Sequence, residues 1–270
     1  MLPIAACGRP SEILVERVPA VTPIDFERRY RRASRPVVFT DLIPKWKAWR
    51  RWSHKYFHDV WREHKVPVLP TRGKLGQYNP SKGYVFPEMR MADAVDRLQQ
   101  GGHESVYIMV PLDRYMRGLL DEVDVPPYCA GHVGFRSRLW ISGVDIGVRL
   151  HREFPENLIC QVSGVKEITL YPSEEWHHLY AFPNTAPVPT FCQVDLEDGE
   201  PPDPVRFPRY AQARRATVRI EPGDMLFMPS RWWHQSRTIE NSVTITFWWA
   251  AGVYETIMRA ARRVGLKPSV

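Results

Sequence analysis

The amino-acid sequence predicts a mainly β protein with flanking α-helices. Beyond Gly102 the chain consists of short runs rich in valine, isoleucine, threonine, tyrosine and tryptophan, separated by turn sequences such as EPGD at 221–224. Before Gly102, and again after the last of these runs, apolar residues recur at helical spacing. We therefore expect N-terminal helices, an antiparallel β region and a short C-terminal helix.

The helical segments carry their own start and stop signals. Thr22 and Pro23 are typical of an N-cap and a first helical residue, and Ser53 is an N-cap for the segment SHKYFHDVWREHK. The segment MADAVDRLQQGG ends at a glycine pair, and YETIMRAARRV forms the predicted C-terminal helix. The second and third helices are predicted to pack through Tyr56, Phe57, Val60, Trp61, Met91, Ala94, Val95 and Leu98.

The segment VTITFWW at 243–249 is a clear strand. Its alternation puts Val243, Ile245 and Phe247 on one face and Thr244 and Thr246 on the other. The tryptophans Trp232, Trp233, Trp248 and Trp249 could line a substrate groove, but paired tryptophans next to a strand are more often core residues.

The composition describes a soluble globular protein. Hydrophobic residues make up 44% of the chain and charged residues 25%, so the chain can bury a large core, which its 10 tryptophans make unusually aromatic. The apolar runs are too short for a signal peptide or a membrane span, so we expect a cytoplasmic protein. The cysteines fit neither a zinc-ligand spacing nor a disulfide framework and are expected to be reduced thiols: Cys7, Cys129, Cys160 and Cys192.

Part of the net charge of +7 lies in one basic segment, ERRYRRASR at 27–35. Such a segment can bind nucleic acid or an acidic peptide, but it is more often the solvated face of a helix. The helix start at Thr22 and Pro23 favours the second interpretation, with the arginines on the outside of a short amphipathic helix.

The strongest chemical signal is the pair His151 and Glu153 in VRLHREFPENLICQVSGVKEITLYP at 148–172. Residues two apart on a strand point the same way, so the imidazole and the carboxylate converge on one point. Alone, such a pair is more often a surface pair than a ligand set. A third ligand is available in His234, within GDMLFMPSRWWHQ, and two histidines with one carboxylate form the facial triad of non-heme Fe(II) oxygenases.

The spacing of these residues is that of the cupin pattern. Its two halves are matched by His151, Glu153, Asn157 and Gly164, and by Gly223, Pro229 and His234. Matches at both ends, with the histidines 83 residues apart (234 minus 151), are hard to obtain by accident. We therefore predict a double-stranded β-helix, the cupin or jelly-roll barrel. The other histidines, His54 among them, lie on predicted helices or loops and are expected to be surface residues.

This fold prediction divides one structural domain into three segments. Residues 1–102 form an N-terminal helical and mixed region that packs on the barrel. Residues 103–250 form the barrel that carries the chemistry. Residues 251–270 form a C-terminal helix and tail.

Lys166 fits the inside of such a barrel. After the turn at Gly164, Lys166 alternates in phase with Ile168 and Leu170. An ammonium group on an inner face is costly unless it meets an anion, and a cosubstrate carboxylate is the natural candidate. In the opposite register Glu167 would face inward and Lys166 would face solvent; the triad favours the first register.

The chain resembles the Jumonji C (JmjC) oxygenases of the cupin superfamily, most closely in pattern the group of the asparaginyl hydroxylase that acts on hypoxia-inducible factor. The motifs that carry the resemblance are SRPVVFTDL, NLICQVSGVKEITLYP, QVDLE, RFPRY, MPSRWWH and FWW. The resemblance implies an enzyme that uses Fe(II), O2 and 2-oxoglutarate to hydroxylate a side chain of a peptide or protein, with succinate and CO2 as co-products.

The resemblance also implies roles for individual residues. The two histidines and Glu153 match the iron ligands, and Lys166 matches the lysine that pairs with the far carboxylate of 2-oxoglutarate. Tyr107 in ESVYIMVP matches a tyrosine that assists this lysine, and Asn157 matches an asparagine near the metal-bound carboxylate. Thr246 stands where the asparaginyl hydroxylase has an asparagine, and its hydroxyl could still donate a hydrogen bond.

Two departures from that pattern leave alternatives open. Val148 stands where the asparaginyl hydroxylase has a threonine that contacts 2-oxoglutarate, so one hydroxyl contact is lost. Glu153 replaces the aspartate that is commoner among the hydroxylases, and glutamate occurs in demethylating relatives.

Peptide or protein hydroxylation is the leading hypothesis. One alternative is an enzyme of the same superfamily that acts on RNA, such as a tRNA base, or that removes an N-methyl group. Another is a cupin binding module that has lost catalysis, against which the triad and Lys166 argue. No membrane partner is expected, and the sequence leaves the oligomeric state open.

Overall fold

The computed structural model describes residues 12–70, 78–79, 83–84, 86–101, 105–194 and 202–263. Cys7 and His103 lie outside the described residues, and so do parts of all three segments that the sequence predicts. Within the described ranges, no helix is both long enough and apolar enough to cross a membrane.

Of the described α-helices, four occur where the sequence predicts them, and a fifth, Leu112–Tyr115, is a short helix that it did not predict. The α-helices of the described chain are α1 Pro23–Phe26, α2 His54–Val60, α3 Met91–Gln100, α4 Leu112–Tyr115 and α5 Gly252–Arg263. A π-helical turn, Glu27–Arg31, continues α1. Both predicted N-caps are confirmed, since Thr22 accepts the backbone N–H of Asp25 and Ser53 accepts that of Tyr56.

Most strands belong to two sheets. The larger sheet contains, in spatial order, β1 Glu16–Val18, β2 Val37–Phe39, β13 Met225–Met228, β10 Glu156–Ser163, β15 Ser242–Trp249, β8 Arg136–Ser142, β7 Val106–Pro111, β3 Lys65–Pro70 and β6 Glu88–Arg90. The smaller sheet contains β12 Ala216–Ile220, β11 Lys166–Tyr171, β14 Trp233–Thr238 and β9 Gly147–Arg152. Two short strands, β4 Tyr78–Asn79 and β5 Gly83–Tyr84, pair with each other. This is the predicted mainly β architecture of a jelly-roll barrel.

The register of β15 decides which of its residues face the interior between the sheets. Thr246 lies opposite Ile159 of β10 on one side and opposite Arg138 of β8 on the other. Ile245 and Phe247 point the other way, into an apolar core shared with the N-terminal helices. The two predicted faces of this strand are therefore confirmed.

Apolar side chains fill one half of the barrel interior. Ile159 of β10 and Leu226 of β13 meet Ile168 of β11 and Val218 of β12 across the space between the sheets. The pocket lies next to this apolar cluster, between β9, β11 and β14 of the smaller sheet and the central strands of the larger one.

The turn between β10 and β11 sets the orientation of Lys166. Gly164 in this turn has a φ of +69°, and a Cβ atom there would press on the backbone oxygen of Asn241. In the strand that follows, Lys166 is 3% exposed while Glu167 faces solvent. The predicted register of β11 is confirmed.

Strands also occur before Gly102, in the region that the sequence predicts to be helical and mixed, and their positions were not predicted. β1, β2, β3 and β6 come from the N-terminal region and extend the larger sheet at both edges. Val37, Val38 and Phe39 are all fully buried. A short apolar run without alternation gives no period by which a buried strand can be recognised.

The basic segment at 27–35 is only in part a solvated face. Arg28 and Arg32 are exposed as predicted, at 76% and 77%. Arg31 is 14% exposed and pairs with Glu156 of β10 and Glu255 of α5. These ion pairs connect the π-helical turn and the C-terminal helix to the larger sheet.

The prediction that His54 is a surface residue is also wrong. His54 is the first residue of α2, its side chain is buried, and its Nε2 atom lies 3.4 Å from the backbone oxygen of Ser242. Burial lowers the pKa of His54, so the ring is neutral at physiological pH. The helix start faces β15, and this contact explains why the histidine is enclosed.

Candidate metal centre

Three side chains converge at one end of the pocket between the sheets. His151 of β9 lies directly opposite His234 of β14 in the antiparallel ladder, and the two ring centroids are 4.2 Å apart. Glu153 follows just beyond the end of β9. One ligand atom from each of the three residues lies within 4.8 Å of the others, so this cluster could hold a metal ion.

Backbone carbonyl groups orient both imidazoles. Nδ1 of His151 lies 2.8 Å from the oxygen of Arg149, and Nδ1 of His234 lies 3.3 Å from the oxygen of Trp232. With the proton on Nδ1, the lone pair of each ring is on Nε2, the atom that would bind a metal. Burial and the neighbouring His151 hold the pKa of His234 well below its ordinary value, so this ring is neutral, as a ligand must be.

Two donors from the larger sheet hold one oxygen of Glu153. Oε2 accepts a hydrogen bond of 2.8 Å from Nε1 of Trp248 and one of 3.1 Å from Nδ2 of Asn157. The carboxylate is thereby fixed although Glu153 lies outside the regular strand. Among the described residues Oε1 accepts no hydrogen bond, and this leaves one oxygen for a metal.

The opposite end of the pocket contains a buried cation. Nζ of Lys166 donates to the hydroxyl of Tyr107 at 2.9 Å, and both residues line the same pocket as the triad. No carboxylate of the described residues lies within 4.0 Å of this ammonium group. Burial lowers the pKa of Lys166 to about 7 and raises that of Tyr107 well above its ordinary value.

The walls between the two ends are mostly apolar. Val148 and Ile159 line them, and the hydroxyl of Thr246 accepts a hydrogen bond of 2.8 Å from Nε1 of Trp140. Oδ1 of Asn157 is buried and has no hydrogen-bond partner among the described residues. The pocket therefore offers a ligand the metal cluster at one end and the Lys166 and Tyr107 pair at the other, with fewer polar groups between them.

Trp232, Trp233 and Trp249 are core residues, as the sequence favours, whereas Trp248 is buried but lines the pocket. Trp248 has a second role that sequence reasoning missed, since it donates a hydrogen bond to Glu153. The signal was available: the alternation that puts Thr244 and Thr246 on one face continues to Trp248. The contact of Trp140 with Thr246 could not be predicted from the sequence, because it depends on the pairing of β8 with β15.

Comparisons with known proteins identify the family. The cupin-like domain family matches residues 23–253. The chain is 27% identical over 232 residues to lysine-specific demethylase 8 of Xenopus tropicalis, covering 83% of this chain and 50% of the relative. It is 25% identical over 257 residues to the human bifunctional peptidase and (3S)-lysyl hydroxylase JMJD7, covering 84% and 81%. It is 25% identical over 255 residues to tRNA wybutosine-synthesizing protein 5 of Danio rerio, covering 86% and 74%.

The chain spans about half the length of the demethylase that it matches. The range matched by the family contains most of both sheets, both histidines of the cluster, Glu153 and Lys166. The predicted fold class and family are thereby confirmed: the chain belongs to the cupin-like domain family.

Proposed function

We propose that the chain is an Fe(II)- and 2-oxoglutarate-dependent hydroxylase of a peptide or protein side chain, with succinate and CO2 as co-products. One observation carries the proposal. A single pocket has a cluster of two histidines and a carboxylate at one end and the buried ammonium group of Lys166 at the other. A metal-chelating dicarboxylate such as 2-oxoglutarate matches both ends of that pocket.

The donor set of the cluster fits iron. Two imidazole nitrogens and one carboxylate oxygen on one side of a metal leave adjacent coordination positions open. Bound there, Fe(II) would activate O2 with electrons from 2-oxoglutarate. Trp248 and Asn157 would keep Glu153 in position, and the carbonyl groups behind both imidazoles would keep Nε2 directed at the metal.

Lys166 and Tyr107 fit the far carboxylate of the cosubstrate. Enclosing an ammonium group among apolar side chains costs free energy, and a bound carboxylate offsets that cost. Tyr107 remains protonated because burial raises its pKa, so its hydroxyl can donate to the same carboxylate. The side chain of Val148 cannot form a hydrogen bond. Binding of the cosubstrate would therefore depend more strongly on Lys166, Tyr107 and Thr246.

The same argument favours an enzyme over a silent binding module. Lys166 is buried with the hydroxyl of Tyr107 as its hydrogen-bond partner, a bound anion would stabilise its charged form, and it lies in the same pocket as the metal cluster. A module without catalysis would need only one of these two features.

The names of the relatives suggest protein substrates before RNA. Two of the three act on lysine by name, as a demethylase and as a lysyl hydroxylase, and the third takes part in the synthesis of a tRNA base by name. We therefore propose a peptide or protein substrate, with RNA as the second candidate. Removal of an N-methyl group is an alternative outcome, since it also begins with hydroxylation of a C–H bond.

We further propose a cytoplasmic location. Cys129, Cys160 and Cys192 are buried free thiols, and burial raises the pKa of each. Thiols that stay protonated and unpaired are typical of proteins in a reducing compartment.

The metal assignment is tested by removing one imidazole at a time. His151→Ala and His234→Ala should each abolish Fe(II) binding and succinate release, because two ligands hold a divalent metal poorly. Metal analysis after gel filtration measures the first effect. His177→Ala, which removes an exposed histidine outside the cluster, should bind iron as the wild type does. Wild-type occupancy in both cluster variants would refute the assignment.

A second variant separates the cosubstrate from the metal. Lys166→Ala should keep iron but lose 2-oxoglutarate binding, because it deletes the cation that the far carboxylate would meet. Calorimetry under argon measures both affinities. Lys55→Ala, at a lysine that is 85% exposed, is the matched control and should keep both. An unchanged 2-oxoglutarate affinity in Lys166→Ala would show that the far carboxylate binds elsewhere.

The pKa of Lys166 predicts how 2-oxoglutarate affinity depends on pH. The free protein has this pKa at about 7, and the carboxylate requires the protonated lysine. Above pH 7 binding must therefore take up a proton, and the dissociation constant should rise by roughly tenfold per pH unit. Titrations at several pH values, each in two buffers of different ionisation enthalpy, measure the affinity and the proton uptake. Constant affinity with no proton uptake above neutral pH would contradict a charge pair at Lys166.

A further inference from the structure

A second cation, Arg138, faces the interior of the barrel. Arg138 on β8 lies opposite Thr246 of β15, and partners in an antiparallel ladder point to the same side of the sheet. Thr246 lines the pocket, so the side chain of Arg138 starts from the inner face. Sequence reasoning did not single out this residue, since nothing in RSRLWIS marks which of its faces is the inner one.

The guanidinium group of Arg138 lies beside the metal end of the pocket, against Trp248, and is not among the side chains that line the pocket. Its central carbon is 5.0 Å from the ring centroid of Trp248, the tryptophan that donates to Glu153. Lys166 and Tyr107 occupy the other end. The two inward-facing cations are therefore separated along the barrel: Lys166 faces the space assigned to the far carboxylate of the cosubstrate, and Arg138 faces the entrance beside the metal cluster.

Arg138 has no strong acceptor in the described part of the protein. Its Nη1 atom lies 3.4 Å from the sulfur of Met109, which is a weak acceptor. The carboxylates of Glu153 and Asp113 attract it from beyond ion-pairing distance, and Arg136 on the same strand repels it. Burial is the largest influence and lowers the pKa of Arg138, yet an arginine remains charged at physiological pH.

A bound metal would increase this imbalance. Divalent iron on the cluster would compensate the charge of Glu153, one of the two carboxylates that attract Arg138. Burying a charge is costly unless an opposite charge and hydrogen bonds meet it. The near carboxylate of the cosubstrate would be held by the metal and its far carboxylate by Lys166, so a separate anion for Arg138 would enter with the substrate.

We propose that Arg138 binds a carboxylate of the substrate, and that the substrate is an acidic peptide segment with aspartate or glutamate at or next to the hydroxylated residue. The inference rests on the proposed function and adds the class of peptide to it. The guanidinium group presents a planar pair of N–H donors that matches a carboxylate, and stacking on Trp248 holds that plane in place. A lysine or arginine side chain at the same entrance would meet repulsion from Arg138.

The surroundings favour a peptide over RNA. Arg138 is partly buried, so an anion reaches it only on an arm that enters the barrel, as the side chain of aspartate or glutamate does. RNA binding relies on rows of exposed cations that follow the phosphate backbone. At this entrance Asp113 contributes a negative charge, which opposes a chain of phosphates.

The test measures binding, so that it does not depend on turnover. The full chain, loaded with Fe(II) and 2-oxoglutarate under argon, is immobilised and offered a random-sequence peptide library mixed with single-stranded RNA of random sequence, at physiological salt. The wild type should enrich peptides that contain aspartate or glutamate. Arg138→Gln should lose this enrichment, with the affinity for a selected acidic peptide falling about tenfold or more, as expected for a lost charge-assisted hydrogen bond.

Charge reversal separates recognition from folding. Arg138→Glu should enrich lysine- and arginine-containing peptides instead, a result that a misfolded protein cannot give. Arg28→Gln, at an arginine that is 76% exposed in the π-helical turn after α1, is the matched control and should select acidic peptides like the wild type. A wild type without acidic preference, a preference unchanged in both Arg138 variants, or preferential capture of RNA would overturn the inference.

Succinate release by the wild type is measured in parallel. Its absence together with an acidic preference would refute the proposed oxygenase but leave the anion site at Arg138. Succinate release without a preference for acidic peptides would support the proposed oxygenase but refute the anion site at Arg138.

Discussion

The register between β9 and β14 is the constraint on which the rest of the candidate site depends. It sets His151 directly opposite His234, and the period of a strand then brings Glu153 to the same side as His151. A shift by one residue would send these side chains to the other face of the smaller sheet. Backbone pairing therefore assembles the cluster, and the carbonyl groups behind the two imidazoles fix the nitrogen that each presents.

The larger sheet supplies the hydrogen bonds that hold Glu153 in position. Glu153 lies beyond the end of β9, and its position depends on hydrogen bonds from Trp248 of β15 and Asn157 of β10. The pairing of β10 with β15 sets these two residues opposite each other. One oxygen of Glu153 thus connects the two sheets. The position of the metal ligands therefore depends on the packing of both sheets.

Burial in the barrel is the second constraint. Lys166 is enclosed because the tight turn at Gly164 directs it inward, and Arg138 because β15 fixes the inner face of β8. Each cation lowers the stability of the empty pocket and favours an anion when one is offered. If both proposals hold, the barrel would distinguish two carboxylates by position, one deep at Lys166 and one beside Arg138.

The sequence predicted features that depend on strand period and on motif spacing. Alternation predicted the inward register of Lys166 and the two faces of β15. Motif spacing predicted that His234 joins His151 in one cluster, although the two histidines are more than eighty residues apart along the chain. The sequence failed where pairing between distant strands decides the outcome. β2 was missed because Val37, Val38 and Phe39 do not alternate, and Arg138 because the inner face of β8 is set by β15. The burial of Arg31 depends on Glu156 and Glu255, which are far from it in sequence.

The central claim is that one pocket holds a metal at the histidine cluster and a dicarboxylate that extends to Lys166. Anaerobic crystals grown with Fe(II) and 2-oxoglutarate, with diffraction recorded at the iron absorption edge, test it most directly. The anomalous peak should lie within bonding distance of Nε2 of His151, Nε2 of His234 and Oε1 of Glu153, with the far carboxylate of 2-oxoglutarate on Nζ of Lys166. Iron bound away from this cluster, or a far carboxylate directed away from Lys166, would contradict it.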